Sequence, residues 1–141
     1  MEIPESARKV IESPRLVHLV TLNKDGTPQV SLVWGGLDGD EIVVASFGDY
    51  QKLKNIRRNP HVSLSIETEN VNAAGLQEYL VVHGTARVTE GGAAALLQEL
   101  AYQYIGPDVG KFPPGDNPMP PGFITHVTPT HFSGVGPWTG K

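Results

Sequence analysis

The sequence contains no cysteine, which removes disulfides, thiolate metal sites, iron–sulfur clusters and cysteine nucleophiles together. No apolar run approaches the ~18 residues that a membrane-crossing helix needs. Charge is scarce, at 18% of residues, and the balance of 15 acidic to 11 basic side chains leaves a net −4. That balance offers no overall attraction to nucleic acid or an anionic membrane, so any anion-binding role must rest on a local cluster. Phosphate-loop, dinucleotide-binding and G-x-S-x-G fingerprints are missing. The five histidines (His18, His61, His83, His126 and His131) show no usual zinc spacing, so no metal site is expected. The opening MEIPESARKVIESP holds three glutamates and does not read as a secretory signal. The expectation is a soluble cytoplasmic protein.

What is present is enough for one core. The chain has 141 residues, of which 39% are hydrophobic, and no linker divides it, so residues 1–141 are expected to form a single domain. Residues 2–13 predict a short helix, with Ile3, Ala7, Val10 and Ile11 on one face and Pro14 ending it. Strands are predicted over 15–22 and 29–37, joined as a hairpin by Asn23-Lys24-Asp25-Gly26. A third strand follows over 41–46. A helix is predicted over 49–59, with Asp49 as its N-cap and Tyr50, Leu53 and Ile56 as its apolar stripe. Residues 61–67 alternate as a half-buried strand, and 77–89 form a longer one, with a bulge or close approach at Gly84. A further helix covers 93–105. Residues 106–121 hold six of the twelve prolines and form a long irregular loop of the kind that is usually functional or mobile. A last strand covers 123–132. Six strands, mostly hairpin-linked, with two or three short helices, imply a mainly β antiparallel barrel.

The most informative segment is Ser46–Pro60. Lys52, Lys54, Arg57 and Arg58 place four of the eleven basic residues within seven positions. Arg57 and Arg58 fall at the helix C-terminus, where cations complement the macrodipole. Lys52 falls in the first turn, where a cation is mildly unfavourable unless an anion shares the free backbone N–H groups with it. Phosphate binding and a solvated charged face both remain open for this cluster. On the strand before it, Gln29, Ser31 and Val33 share one face, which is either solvent-facing or able to bond the edge of a heteroaromatic ring. The tail sets Trp138 beside Pro137, to pack on a neighbouring subunit, on a planar ligand, or on the protein's own barrel.

In order, these segments are Leu19-x-Thr21-Leu22-x-x-Asp25-Gly26-x-Pro28-Gln29-Val30-Ser31-x-Val33-Trp34 and Lys52-x-x-Asn55-Ile56-Arg57-Arg58-Asn59-Pro60-x-Val62-Ser63-Leu64. Val82-x-Gly84-x-Ala86-x-Val88 and Gly134-x-Gly136-Pro137-Trp138 follow. Together they resemble the pyridoxamine-5′-phosphate-oxidase-like split β-barrel superfamily, and within it the probable deazaflavin (coenzyme F420)-dependent oxidoreductases. The resemblance implies a six-stranded FMN-binding-type split barrel that forms a homodimer with cofactor sites at the subunit interface. It implies that Lys52 meets the cofactor phosphate, with Ser46 and Asn55 beside it and Arg57 or Arg58 as weaker candidates. It sets Gln29, Ser31 and Val33 along the ring, and has Pro137 and Trp138 close the site, from the partner subunit. Relatives often carry an arginine two positions before the helix lysine; here that residue is Tyr50. The arginine-rich substrate signature of a true pyridoxamine phosphate oxidase is not found. The implied activity is hydride transfer from a deazaflavin to a small unsaturated or heteroaromatic compound. The alternatives are an FMN-dependent oxidase or reductase of the same fold and a non-enzymatic flavin- or haem-binding protein, with His61, His126 or His131 as haem ligands.

Overall fold

The computed structural model describes residues 2–139. Its elements run α1 (Glu5–Ile11), β1 (Val17–Leu22), β2 (Pro28–Val33), β3 (Gly36–Asp38), β4 (Glu41–Ser46), α2 (Gln51–Arg58), β5 (His61–Val71), β6 (Gln77–Glu90), α3 (Ala93–Tyr104) and β7 (Phe123–Val135). All strand pairs are antiparallel in one sheet of order β2-β1-β5-β6-β7-β4-β3. No helix among the described residues is long and apolar enough to cross a membrane.

The sheet has seven strands, where six are expected, and hydrogen bonds do not close it. The extra strand arises because the stretch 29–37 breaks at Trp34-Gly35 into β2 and β3, which lie at opposite ends of the strand order. Three Cα–Cα steps join Val33 to Gly36 and span at most about 11 Å. The two free edges must therefore approach to within that distance at this point, where the chain crosses between them with no hydrogen-bond ladder. Glycine makes the crossing fit: a Cβ on Gly36 would sit 2.8 Å from the Leu100 side chain. α3 locks it, since Gln103 Nε2 donates to the carbonyls of Ile11 and Gly35, and the Gly35 N–H donates to the Tyr104 hydroxyl at 2.9 Å. Burial raises the Tyr104 pKa above its ordinary value, and the hydrogen bond with Gly35 offsets only part of that rise. Tyr104 is thus a neutral structural phenol.

Alternation works as the pleat requires. Val62, Leu64 and Ile66 of β5 and Leu80 and Val82 of β6 enter one core with Val17, Leu19 and Phe132. At Gly84 the β6–β7 register shifts, as the sequence predicts.

Candidate functional site

α2 begins at Gln51, later than expected, and Asp49 does not cap it. Tyr50 occupies the cap position and no side chain closes the helix start. Asp49 instead reaches the far end of the helix and pairs with Arg57 at 2.7 Å. Within the helix, the first N–H groups to find a carbonyl are those of Leu53 and Lys54, both on Tyr50. The N–H groups ahead of them stay available, with the positive end of the helix dipole behind them.

Lys52 stands at this uncapped start. It is half-buried, no carboxylate among the described residues lies within ion-pair distance of it, and burial pushes its pKa below the ordinary 10.5. Its ammonium lies 5.4 Å from the centroid of the Tyr50 ring. An aromatic face thus supplies partial stabilisation at the position where relatives are expected to carry an arginine. Ser46, at the end of β4, is 4% exposed, and its Oγ has no hydrogen-bond partner. A buried hydroxyl left unmatched costs about 1–3 kcal/mol. A charged lysine and an orphaned serine on the strand–helix connection therefore both await an acceptor, which fits a phosphate-bearing ligand.

Lys52 lines a cleft of about 370 Å³ with Leu32 and Val33 of β2, Trp34, Leu100 of α3 and Phe112. Trp34 stacks on Tyr104 at 5.1 Å and meets Phe112 at 5.5 Å. Phe112 comes from the proline-rich loop 106–121, which one glutamine of α3 pins: Gln98 Nε2 donates to the Gly110 carbonyl at 2.6 Å, and Gln98 Oε1 accepts the Phe112 N–H at 2.8 Å. The cleft thus joins the first-turn lysine, the end of β2 at Leu32 and Val33, and the loop; Gln29 and Ser31 are not among its described lining residues. Among its described lining residues Lys52 is the only ionisable one, so the walls offer neither a carboxylate nor a histidine for acid–base work.

A larger cavity of about 540 Å³ lies between α1, the far end of β5 and the tail. Its cations Lys9 and Arg15 share it with Glu69 and Glu78, and Arg15 pairs with Glu69. Size favours this cavity, but its charges are matched. The smaller cleft, with its unopposed cation, is the stronger candidate for an anionic ligand.

The remaining predicted residues divide. Gln29, Ser31 and Val33 do share the inward face of β2: Gln29 and Ser31 are half-buried and Val33 is buried, while Val30 and Leu32 point out at 55% and 57% exposure. Asn55 is fully buried and committed to the protein. Its Nδ2 donates to Thr21 Oγ1 at 3.0 Å and Asn23 Oδ1 at 2.9 Å, and its Oδ1 accepts from Gln51 at 2.8 Å and Arg58 at 3.3 Å. No capacity remains for a direct ligand contact. Arg57 is tied to Asp49 and lies against the Phe123 ring at 5.4 Å, and Arg58 also donates to the Leu22 carbonyl. Trp138, expected to close the site from a partner, is 1% exposed within its own chain's core, where its Nε1 donates to the Ser133 carbonyl at 2.9 Å. Gly136 permits that fold-back, because a Cβ there would collide with the indole. Pro137 stays exposed at the larger cavity. The sequence reading missed Trp34 and Phe112 as cleft walls; the only signal was an aromatic inside a proline-rich loop and another at a strand break.

The candidate haem ligands do not converge. His61 borders a pocket on the outer sheet face and His126 a different one, near α3, while His131 stacks on His83 at 6.1 Å.

A family model described as pyridoxamine 5′-phosphate oxidase matches residues 3–136. Among solved structures, an F420 reductase is 31% identical, with a TM-score of 0.71 over 93% of this chain and 98% of that one. A conserved hypothetical protein of Mycobacterium tuberculosis has a TM-score of 0.73 at 23% identity, over 94% of this chain and 84% of that one. HupZ of Group A Streptococcus has a TM-score of 0.64 at 17% identity over 97% of each chain. The last two bear on the fold alone. No curated protein matches the sequence.

Proposed function

The chain belongs to the pyridoxamine 5′-phosphate oxidase family, and from that premise we propose that it is an oxidoreductase using a deazaflavin, coenzyme F420, to reduce a small unsaturated or heteroaromatic compound. The observation that carries the reading is Lys52: a half-buried, desolvated cation without a carboxylate, at an uncapped helix start, opening on an aromatic cleft. The 31% identity to an F420 reductase over nearly both chains favours the deazaflavin over FMN.

Lys52 and the free N–H groups of the first turn of α2 would hold the phosphate, and Ser46 Oγ, buried and without a partner, is a further candidate donor. Gln29, Ser31 and Val33 would flank the ring. The chemistry that a reduced deazaflavin supplies when bound is hydride transfer, which accounts for walls without an acid or base. The protein's part is then to bind, to orient and to exclude water, with Trp34 and Phe112 offering flat apolar surface to a planar substrate.

A second copy of the chain is part of the proposal. Val30 and Leu32 lie exposed on the outward side of the edge strand β2, and Leu32 also lines the Lys52 cleft. A partner covering that face would complete the cleft wall, consistent with two sites at a subunit interface.

The test is titration of the protein with coenzyme F420 and with FMN, followed by fluorescence. Binding of F420 that Lys52→Met weakens at least tenfold (about 1.4 kcal/mol) is the expected result. Tight F420 binding indifferent to Lys52 would overturn the phosphate placement, and binding of FMN alone would overturn the deazaflavin assignment.

A further inference from the structure

Asn55 heads a chain of hydrogen bonds whose direction is fixed. Arg58 can only donate, so its contact with Asn55 assigns the acceptor atom Oδ1 to that side of the amide. The Asn55 Nδ2 must then face Thr21 and Asn23, and it donates to Thr21 Oγ1 at 3.0 Å. Thr21 is fully buried, so its own hydroxyl hydrogen needs an acceptor, and Gln29 Oε1 lies 3.0 Å away. That contact orients the Gln29 amide in turn, with Nε2 donating to Ser31 Oγ at 3.3 Å. Ser31 already accepts, and no acceptor among the described residues takes its hydrogen. The second hydrogen on Gln29 Nε2 is likewise unclaimed. A cation on α2 thus sets, through two intervening side chains, which end of the Gln29 amide faces Ser31 on β2.

We infer that Asn55 and Thr21 are positioning residues which hold Gln29 and Ser31 as hydrogen-bond donors, so that the inward face of β2 recognises the acceptor edge of a planar ring. The ligand class this selects is a heterocycle presenting carbonyl oxygens or unprotonated ring nitrogens, such as a carbonyl oxygen of the pyrimidinedione ring of a flavin or deazaflavin. A ring presenting N–H donors there would meet two donors and be rejected, since unmatched buried donors carry the larger penalty. The inference rests on the cofactor reading above for the identity of the ring, and it goes beyond that reading in giving Asn55 a role without ligand contact.

The relay predicts non-additivity, which a merely structural role for Thr21 would not produce. With coenzyme F420 and FMN as probes, Ser31→Ala is expected to weaken binding about tenfold. Thr21→Val, isosteric and uncharged, is expected to weaken it by a similar factor, and Thr21→Ser to restore it. The double variant Ser31→Ala/Thr21→Val should lose clearly less than the product of the two single losses, because both changes disturb the same linked pair of donors. In the free protein, the Gln29 side-chain NH₂ resonances should move in Thr21→Val and return in Thr21→Ser. Multiplicative losses in the double variant, or Gln29 resonances indifferent to Thr21→Val, would overturn the relay even if that variant binds weakly. Lys52→Met run alongside separates the two ideas. Loss with Lys52→Met but none with Ser31→Ala leaves the phosphate site standing and removes this inference. The reverse pattern keeps the relay and removes the phosphate site. A wild-type protein that binds neither probe removes both.

Discussion

The two ends of α2 carry the same charge and have opposite surroundings. At the C-terminal end, Arg57 meets Asp49, and Arg58 meets the Leu22 carbonyl and Asn55. Those cations complement the helix dipole and hold the helix to its neighbours. At the N-terminal end, Lys52 opposes the dipole, has no carboxylate partner among the described residues and is desolvated enough to lower its pKa. Eight residues of helix thus separate a matched end, which serves the fold, from an unmatched end, which stores a cost that a ligand would relieve. Charge density alone does not distinguish them; partner assignment does.

The comparison breaks most forcefully at the matched end. Asn55→Leu would remove the donor that Thr21 Oγ1 and Asn23 Oδ1 share and the acceptor that Gln51 and Arg58 share, and is expected to destabilise the domain by about 2–4 kcal/mol, measured by urea unfolding. At the unmatched end the effect should invert. Lys52→Met is expected to cost about 1.5–3 kcal/mol of cofactor binding while leaving unfolding stability equal or higher. A large loss of stability in Lys52→Met would show that the lysine is structural after all.

The pH dependence follows from the sign of the Lys52 shift. Its pKa is lower in the folded protein than the ordinary 10.5, so the unfolded chain holds the proton more tightly. This residue's contribution therefore favours the folded state above about 10.5 and is lost as pH falls through its lowered value. Wild type should gain stability relative to Lys52→Met as pH rises through that window. Phosphate affinity should run the other way, falling as the amine loses its charge. Parallel pH profiles for the two proteins would contradict the burial argument.

Smaller effects sharpen the picture. Gln98→Ala, which frees both bonds pinning the loop at Gly110 and Phe112, should cost about 1 kcal/mol or less and speed limited proteolysis within 106–121. Arg57→Gln removes an ion pair whose two side chains are 43% and 49% exposed, and its effect on stability should stay within about 1 kcal/mol.

Much of this was legible before any coordinates. The strand Glu41–Ser46, the helix that begins at Ala93 and the register shift at Gly84 all match the sequence reading, because periodicity and punctuating glycines report local structure directly. Lys52 was legible for a similar reason: a cation in a first turn is a local anomaly. Three features were not. The break at Trp34-Gly35 is marked in sequence only by Gly35-Gly36, inside a run whose flanks both read as strand, and only the placement of β2 and β3 at opposite edges of the sheet reveals it. Asp49 looks like an N-cap, yet its pairing with Arg57 prevails. Asn55 reads as a polar residue beside a phosphate site, and only the packing of α2 against β1 turns it inward onto Thr21. Each miss depends on partners distant in sequence, and composition and spacing do not report them.

The central claim is that Lys52 is a binding cation held at the fold's expense. The most direct test is calorimetric titration of wild type and Lys52→Met with coenzyme F420, paired with thermal unfolding of the two ligand-free proteins. The account predicts that the variant binds at least about tenfold more weakly and melts no lower than wild type. Undiminished binding by a variant that melts well below wild type would contradict it.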